Sequence, residues 1–497
     1  MSGMNLENVN VVNDLISKVV AFGLRVKYGR VSESAPSAPT SRRIMIYSSH
    51  LGGHRHLYAA RFADALHKLG FEVHVVYCGE QDATSLQWLL HDATQATWKD
   101  FTSPSMKGIR DLENVRVVSL RKQMPAAASE LEMIVEYQKN ENIAATFFMD
   151  GDAMLETFLA QGQAGKPKFI GNTYGVFIRY DYLYRRTLGE RRFKQLNDRR
   201  HWLRGVIYEH LLVEPGYLDG ILASDDVYAQ RHTETGRVHL IEEVGHYEPE
   251  EVLTEEETTL YKRLAGRYQQ WKGRHKGKKV VLLFGDLEVR KGFDFLLRLV
   301  ADRPDLILVR LGRIKPGYQV LNWREVRARE KLIEDDRLLE FSTYCGSQKF
   351  IDRLFRDAHY IPLAYRDHAR TSGVWRQVMS FGKPVIFPSY GVCGFRTEAN
   401  RVGLTYEPNN YDSFVAAFDE LDQNYDEYAE RAQEYFKRRL SDEAFIATLK
   451  HCLAESGLMP DESGTEALSD LSATPEATSP RSRARSRTAS GNAGAAA

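Results

Sequence analysis

The stretch of residues 361–388, IPLAYRDHARTSGVWRQVMSFGKPVIFP, constrains the fold more than any other part of the chain. An apolar run at 360–363 predicts a buried strand, and a polar loop leads from it into a helix predicted over 374–381. Gly-Lys-Pro ends that helix, and a second apolar run follows. The pattern therefore predicts a strand–helix–strand unit. Its helix start, at Ser372 and Gly373, offers free backbone N–H groups to a phosphate, although core units without ligands share this pattern.

The alternation of strands and helices recurs in two blocks and divides the chain of 497 residues into segments. We expect an α/β protein with two doubly wound domains that face each other across a cleft. The expected segments are an N-terminal helix and linker (1–42), a first α/β domain (43–245), a junction (246–277), a second α/β domain (278–420), helices that return to the junction (421–460) and a disordered tail (461–497).

Two loops that follow predicted strands carry residues suited to phosphate binding. In the first block, His-Leu-Gly-Gly-His follows a strand, and its Gly53 lets a ligand approach the backbone closely. An ordinary tight turn is the alternative, and the dinucleotide fingerprint G-x-G-x-x-G is absent. In the second block, Arg290 and Lys291 follow a strand at 279–285 and stand at a helix start. Two cations in this position suit a diphosphate.

Four polar residues follow predicted strand ends in the first block. Asp150 and Asp152 come after one apolar run, and Asn172 and Tyr174 come after a strand predicted at 168–171. Open α/β sheets bind ligands at the carboxyl ends of their strands, so we expect these four residues to contact a ligand. Helix capping by Asp152 and ordinary turn chemistry are the alternatives.

Two segments resemble the signatures of a known enzyme family. SGVWRQVMSFGKPVI resembles the SGVLxEAMAxGKPVI segment of GT-B glycosyltransferases of the large retaining family 4. FGDLEVRKGFDFLL is similar to the family's second signature, in which Lys291 matches a phosphate-binding lysine and Asp286 replaces an arginine. The resemblance implies the GT-B fold of two Rossmann-like domains. It also implies transfer of a sugar from a nucleotide-sugar donor, bound by the second domain (278–420), to an acceptor bound by the first (43–245), with retention and without a metal. The acceptor candidates are then Asp150, Asp152, Asn172 and Tyr174.

The resemblance also implies a set of donor-binding residues, while the catalytic residue stays unassigned. The set is Gly53, Arg290, Lys291, Ser372, Gly373 and Gln377. The two acids of the family's EX₇E motif fall on Ala369 and Gln377, so both are absent, and Asp367 or His368 are the neighbours that could replace the first. A catalytically degraded GT-B protein that acts as a binding or scaffolding partner is therefore the alternative. A GT-B epimerase is a third option, but its carboxylate-rich site is not evident.

Composition limits the partners and the compartment. Lys+Arg and Asp+Glu both number 67, and this balance argues against a nucleic-acid binder. The four cysteines are scattered, which is typical of buried thiols in a reducing compartment. No apolar run approaches the roughly 18 residues of a membrane span, and no secretory signal is evident. We expect a cytoplasmic protein that uses a nucleotide sugar as substrate, needs no cofactor, and acts on a glycan, a lipid-linked or a small-molecule acceptor.

The N-terminal segment carries an amphipathic pattern. Apolar residues between Val12 and Val20 have helical spacing, and basic residues follow them. We expect this helix to dock on the protein's own surface. Peripheral contact with the inner face of a membrane is the alternative.

Overall fold

The structure is a computed structural model that describes residues 6–29, 41–49, 55–78, 114–120, 129–184, 196–242, 255–315, 323–345, 347–366 and 368–459. Gly53, Asp367 and the predicted tail at 461–497 lie outside the described residues.

Seven parallel strands form the sheet of the first half, in the order β3-β2-β1-β4-β5-β6-β7. They are β1 (Arg43–Ser48), β2 (Glu72–Tyr77), β3 (Val115–Ser119), β4 (Ala145–Phe148), β5 (Asn172–Phe177), β6 (Gly220–Ala223) and β7 (Val238–Leu240). Successive side chains of a strand point to opposite faces, so Ile44 and Ile46 of β1 enter one hydrophobic core while Met45 and Tyr47 enter another. Both faces are covered, as expected of a parallel sheet.

Five further strands build the sheets of the second half. They are β8 (Lys279–Phe284), β9 (Leu306–Leu311), β10 (Leu338–Phe341), β11 (Val385–Pro388) and β12 (Gly403–Tyr406). The first three pair in the order β10-β9-β8, and β11 pairs with β12. Residues 360–363 connect the two sheets: Leu282 N–H donates to Tyr360 O over 2.9 Å, and Leu363 N–H donates to Ile386 O over 2.9 Å. The predicted α/β class with two parallel-sheet halves is confirmed.

Helices cover the sheets of both halves. In the first half they are α1 (Leu6–Tyr28), α2 (Arg55–Lys68), α3 (Glu130–Asn140), α4 (Leu155–Ala160), α5 (Leu196–Ile207) and α6 (Asp226–Arg231). They continue with α7 (Glu255–Arg274), α8 (Phe293–Asp302), α9 (Trp323–Glu334), α10 (Gln348–Asp357), α11 (Gly373–Ser380), α12 (Gly391–Ala399), α13 (Tyr411–Gln423), α14 (Tyr425–Tyr435) and α15 (Asp442–Glu455). Among the described residues, no helix is both long and apolar enough to span a membrane.

The last helix packs against the sheet of the first half. Phe445, Leu449 and Cys452 of α15 are buried in the core that also holds Ile44 and Phe147 of the first sheet. The helix therefore contributes to the hydrophobic core of a sheet whose strands lie more than two hundred residues earlier in the chain.

Helix α1 docks on the protein, as the sequence predicts. The Arg25 guanidinium donates to His210 O over 2.7 Å and pairs with Glu214, while Tyr217 OH donates to Gly29 O over 2.7 Å. The opposite face exposes three apolar side chains, Val19, Phe22 and Val26.

Each half has one point at which its strand order reverses. In the first sheet it lies between β1 and β4, and in the second half it lies between β8 and residues 360–363. Ligands of open α/β sheets bind at the carboxyl ends of the strands beside such a point. The donor candidates after β8 and the acceptor candidates after β4 therefore both lie where this rule places a ligand.

Candidate functional site

Lys291 lies at the carboxyl end of β8 and is buried, with 4% of its surface exposed. A short 3₁₀ turn at Val289–Lys291 carries it to the start of α8. Its ammonium donates to Phe284 O over 3.0 Å and to Tyr365 OH over 2.9 Å. Lys291 forms no ion pair with another described residue. An ammonium has three N–H donors, so one remains for an anion.

The loop that holds Lys291 needs glycine beside it. Gly292 follows with φ 62°, in the left-handed region, and a Cβ there would meet Ala364 O at 1.9 Å. Gly285, with φ 93°, lies so close to Lys291 that a Cβ would meet the ammonium at 3.0 Å. The backbone therefore packs tightly around the cation and fixes its position.

The arginines near Lys291 already have carboxylate partners. Arg290 Nε donates to Glu288 over 2.6 Å, and Arg313 pairs with Asp286 over 2.8 Å. Asp286 occupies the position where the resembled family has its phosphate-binding arginine. Because Arg290 and Arg313 are both paired, neither provides an unbalanced charge in its place. Arg290 also faces Tyr365, with its guanidinium carbon 5.6 Å from the ring centre.

His368 connects this cluster to the loop before α11. Its Nε2 lies 3.0 Å from Thr371 O, which can only accept, and its Nδ1 lies 3.4 Å from Arg290 Nη1, which can only donate. These partners assign a neutral ring with the proton on Nε2. Burial, and then the charge of Arg290, lower the pKa of His368 to about 3. Both nitrogens are occupied, so the ring positions Arg290 and does not replace the absent acid at Ala369.

The start of α11 carries the other donor candidates. Ser372 is its N-cap, with Oγ accepting from Trp375 N over 3.3 Å. Gly373 has no atom within 4 Å of where a Cβ would lie, so the space beside it is open. One turn into the helix, the Gln377 side chain is 9% exposed, and its amide makes no hydrogen bond to another described residue. The free N–H groups and this amide are therefore available to a ligand.

Of the acceptor candidates, Asp150 and Asp152 follow β4 at the carboxyl edge of the first sheet. Both are buried, with 6% and 4% of their surfaces exposed. Asp152 accepts from Ile178 N over 2.9 Å and from the Tyr208 hydroxyl. These bonds join the turn after β4 to the chain after β5. Asp152 caps no helix, because the N-cap of α4 is Met154.

The placement of Asn172 and Tyr174 after a strand is wrong. The predicted strand at 168–171 is absent, and β5 itself begins at Asn172. Gly171 turns the chain there, with φ 71° and a virtual Cβ 2.5 Å from Ala144 O. The two residues therefore lie at the amino end and in the body of the strand. Their side chains donate to the returning helix segment, Asn172 to Ser456 O over 3.3 Å and Tyr174 to Cys452 O over 3.0 Å.

A buried ion-pair network between the halves was not predicted from the sequence. Arg396 of α12 is 2% exposed and pairs with Asp226, after β6, and with Glu242, after β7. It also donates to Ser224 O over 3.0 Å, while Arg439 lies 3.5 Å from Asp226. No sequence signal near Arg396 identifies partners that lie more than one hundred and fifty residues away. The network joins α12 to the carboxyl edge of the first sheet.

Solved structures of similar fold are known, although no family model and no curated protein matches the chain. A glycosyltransferase from Rickettsia africae has a TM-score of 0.53 and 14% identity, and the match covers 84% of this chain and 99% of the other. HepE from Anabaena, solved in complex with UDP, has a TM-score of 0.52 and 13% identity, and the match covers 83% of this chain and 100% of the other. Sucrose-phosphate synthase from Thermosynechococcus elongatus has a TM-score of 0.52 and 15% identity, and the match covers 83% of this chain and 98% of the other. The likeness shows that the chain has the fold of the GT-B glycosyltransferases.

Proposed function

We propose that the protein is a glycosyltransferase that moves a sugar from a nucleotide-sugar donor to an acceptor, with retention, in the manner of the family 4 enzymes. The observation that carries the proposal is the buried, unpaired ammonium of Lys291 at the strand-order reversal of the second half. Burying a cation without a counter-ion is costly, and a diphosphate would supply the missing charge. The likeness to HepE, solved with UDP, supports the same class of ligand.

The proposed donor site combines three kinds of group. Lys291 meets the diphosphate as a cation, and Ser372 and Gly373 present the N–H groups of α11 to the same phosphates. Gln377 offers its amide to the sugar or the ribose, and Arg290 borders the site. Gly53 stays the sequence's donor-binding candidate from the first half, outside the described residues. As the bond to the leaving group breaks, negative charge grows on the diphosphate, and fixed donors stabilise it without a metal.

The proposed acceptor site lies in the first half, at the turn after β4. Asp150 and Asp152 stand beside its strand-order reversal, opposite the donor half in this fold. The bonds that hold Asp152 give it a positioning role for the turn. Asn172 and Tyr174, at the other end of β5, are not part of this proposed site.

A second candidate function is binding without catalysis. Ala369 and Gln377 replace both acids of the EX₇E motif, and Asp286 replaces the arginine of the phosphate signature. These replacements favour a catalytically degraded GT-B protein that acts as a binding or scaffolding partner.

A turnover assay separates the two functions. We expect the protein to release nucleoside diphosphate from one nucleotide sugar in a panel of UDP-, GDP- and ADP-sugars when mixed acceptors are added. The rate of release should be the same in EDTA. A nucleotide sugar that stabilises the protein but is never turned over would favour the binding function. Loss of turnover in EDTA that Mg²⁺ or Mn²⁺ restores would contradict the metal-independent chemistry.

A further inference from the structure

Three side chains that commonly bind metals meet at the far edge of the first sheet. His239 lies on the edge strand β7, and His451 and Glu455 lie one turn apart on α15. His239 Nε2 is 3.3 Å from Glu455 Oε2, and His451 Nε2 is 3.3 Å from Glu455 Oε1. All of the potential ligand atoms lie within 4.8 Å of one another. The group is the one cluster of this kind among the described residues.

The spacing of these atoms is close to that around a tetrahedral ion. Zinc binds histidine nitrogen and carboxylate oxygen at about 2.0–2.2 Å, which places neighbouring ligand atoms of a tetrahedron about 3.3–3.6 Å apart. Each histidine nitrogen lies at that distance from one oxygen of Glu455, and with one atom from each residue the separations stay within 4.8 Å. The centre of such a triangle leaves room for a fourth ligand, as in zinc sites that have three protein ligands.

The local structure explains why the three side chains converge. Residues four apart on a helix share one face, so His451 and Glu455 point in the same direction from α15. The buried residues Phe445, Leu449 and Cys452 anchor that helix in the core of the first sheet. Its His451 face then meets His239 on β7, and the two rings lie 5.8 Å apart. The hydrophobic contacts thus place the polar groups without any contribution from an ion.

The cluster is also accessible. A cavity of about 230 Å³ is lined by His239 and His451 and opens between β7, α6 and α15.

We propose that His239, His451 and Glu455 form a structural site for a divalent transition ion of the zinc class. The ion would connect the edge strand of the first sheet to the returning helix α15. An ion that binds the folded chain but not the unfolded one shifts the folding equilibrium by mass action, so the ion stabilises the attachment of α15. The proposal is independent of the glycosyltransferase function, because the donor residues lie in the other half.

The test uses full-length protein that has been treated with a chelator and dialysed. Titration with ZnSO₄ in a calorimeter should show one saturable site per chain, and the ion should raise the unfolding temperature. His451→Gln, at a half-buried position, should weaken Zn²⁺ binding more than about tenfold, since even outer-shell changes cost that much. Glu455→Gln should do the same. Cobalt(II) should give visible absorption bands that both variants lose.

The matched control is His67→Gln, which removes a histidine of α2 outside the cluster and should leave affinity and stoichiometry unchanged. Circular dichroism confirms that each variant is folded before titration. The proposal is overturned if the wild type shows no saturable site, or if both cluster variants bind Zn²⁺ as tightly as the wild type.

Discussion

At the residue scale, the donor site is defined by which polar atoms already have partners. Lys291 uses two of its three N–H donors, and the Gln377 amide uses none within the described chain. His368 uses both ring nitrogens. Lys291 and Gln377 are therefore available to a ligand, whereas His368 acts on the site through Arg290.

The buried state of His368 has a consequence for acid stability. Its pKa is about 3 in the folded protein and about 6.5 in an unfolded chain, so the unfolded state binds more protons between these values. Its contribution to stability is fully present above pH 6.5 and is lost as the pH falls towards 3. We expect His368→Gln to flatten the fall in unfolding free energy over this range, measured by urea unfolding at several pH values. His67→Gln is the control, and an unchanged slope in His368→Gln would contradict the assignment of a buried neutral ring.

Sequence patterns predict the residues whose positions depend on local structure. Lys291 and Ser372 were placed at helix starts because a strand, a short loop and an apolar helix face follow one another within a few residues. The contact between Lys291 and Tyr365 joins positions far apart in the chain, and no local pattern encodes it. The same holds for Arg396 with Asp226 and Glu242.

At the element scale, strand boundaries are the weakest part of the sequence prediction. The run Lys168–Gly171 was expected to be a strand because Phe169 and Ile170 are apolar. The chain instead turns at Gly171, and the ladder begins at the more polar Asn172, because Thr173 and Tyr174 pair with β4. A shift of four residues moved two acceptor candidates from one end of the sheet to the other.

The junction between β8 and α8 depends on a glycine with a left-handed backbone. Gly292→Ala places a Cβ 1.9 Å from Ala364 O, so either α8 or the 360–365 segment must move. We expect a loss of more than about 1–2 kcal/mol of unfolding free energy, since the strain adds to the clash. Thermal and urea unfolding measure it.

The matched control for that change is Gly266→Ala, in the interior of α7, where no atom lies within 4 Å of the new Cβ. Alanine should stabilise that helix by about 0.5–1 kcal/mol. Equal effects of the two substitutions would show that Gly292 is not under steric constraint.

At the scale of the whole molecule, the Arg396 network joins the two halves. Among the described residues, Arg396→Ala would leave the buried carboxylates of Asp226 and Glu242 with Arg439 as their remaining ion-pair partner, at 3.5 and 3.7 Å. Removing one partner of a buried pair costs about 3–5 kcal/mol. Arg431→Ala, which breaks a surface pair with Glu427 one helical turn away, should cost less than about 0.5 kcal/mol. Urea unfolding of both variants checks this, and similar costs would contradict a buried network.

The central claim is that Lys291 binds the diphosphate of a nucleotide, and calorimetry with UDP, GDP and ADP tests it most directly. Lys291→Met keeps the buried stem and removes the charge. The matched control is Lys278→Ala, which removes a lysine just before the amino end of β8, whereas Lys291 lies beyond its carboxyl end. A charge-assisted hydrogen bond contributes about 1.5–3 kcal/mol, so Lys291→Met should lower the affinity for the preferred nucleotide by about 10- to 150-fold. Lys278→Ala should bind that nucleotide with the affinity of the wild type. The claim is contradicted if the wild type binds none of the three nucleotides at millimolar concentration, or if Lys291→Met binds the preferred one equally well.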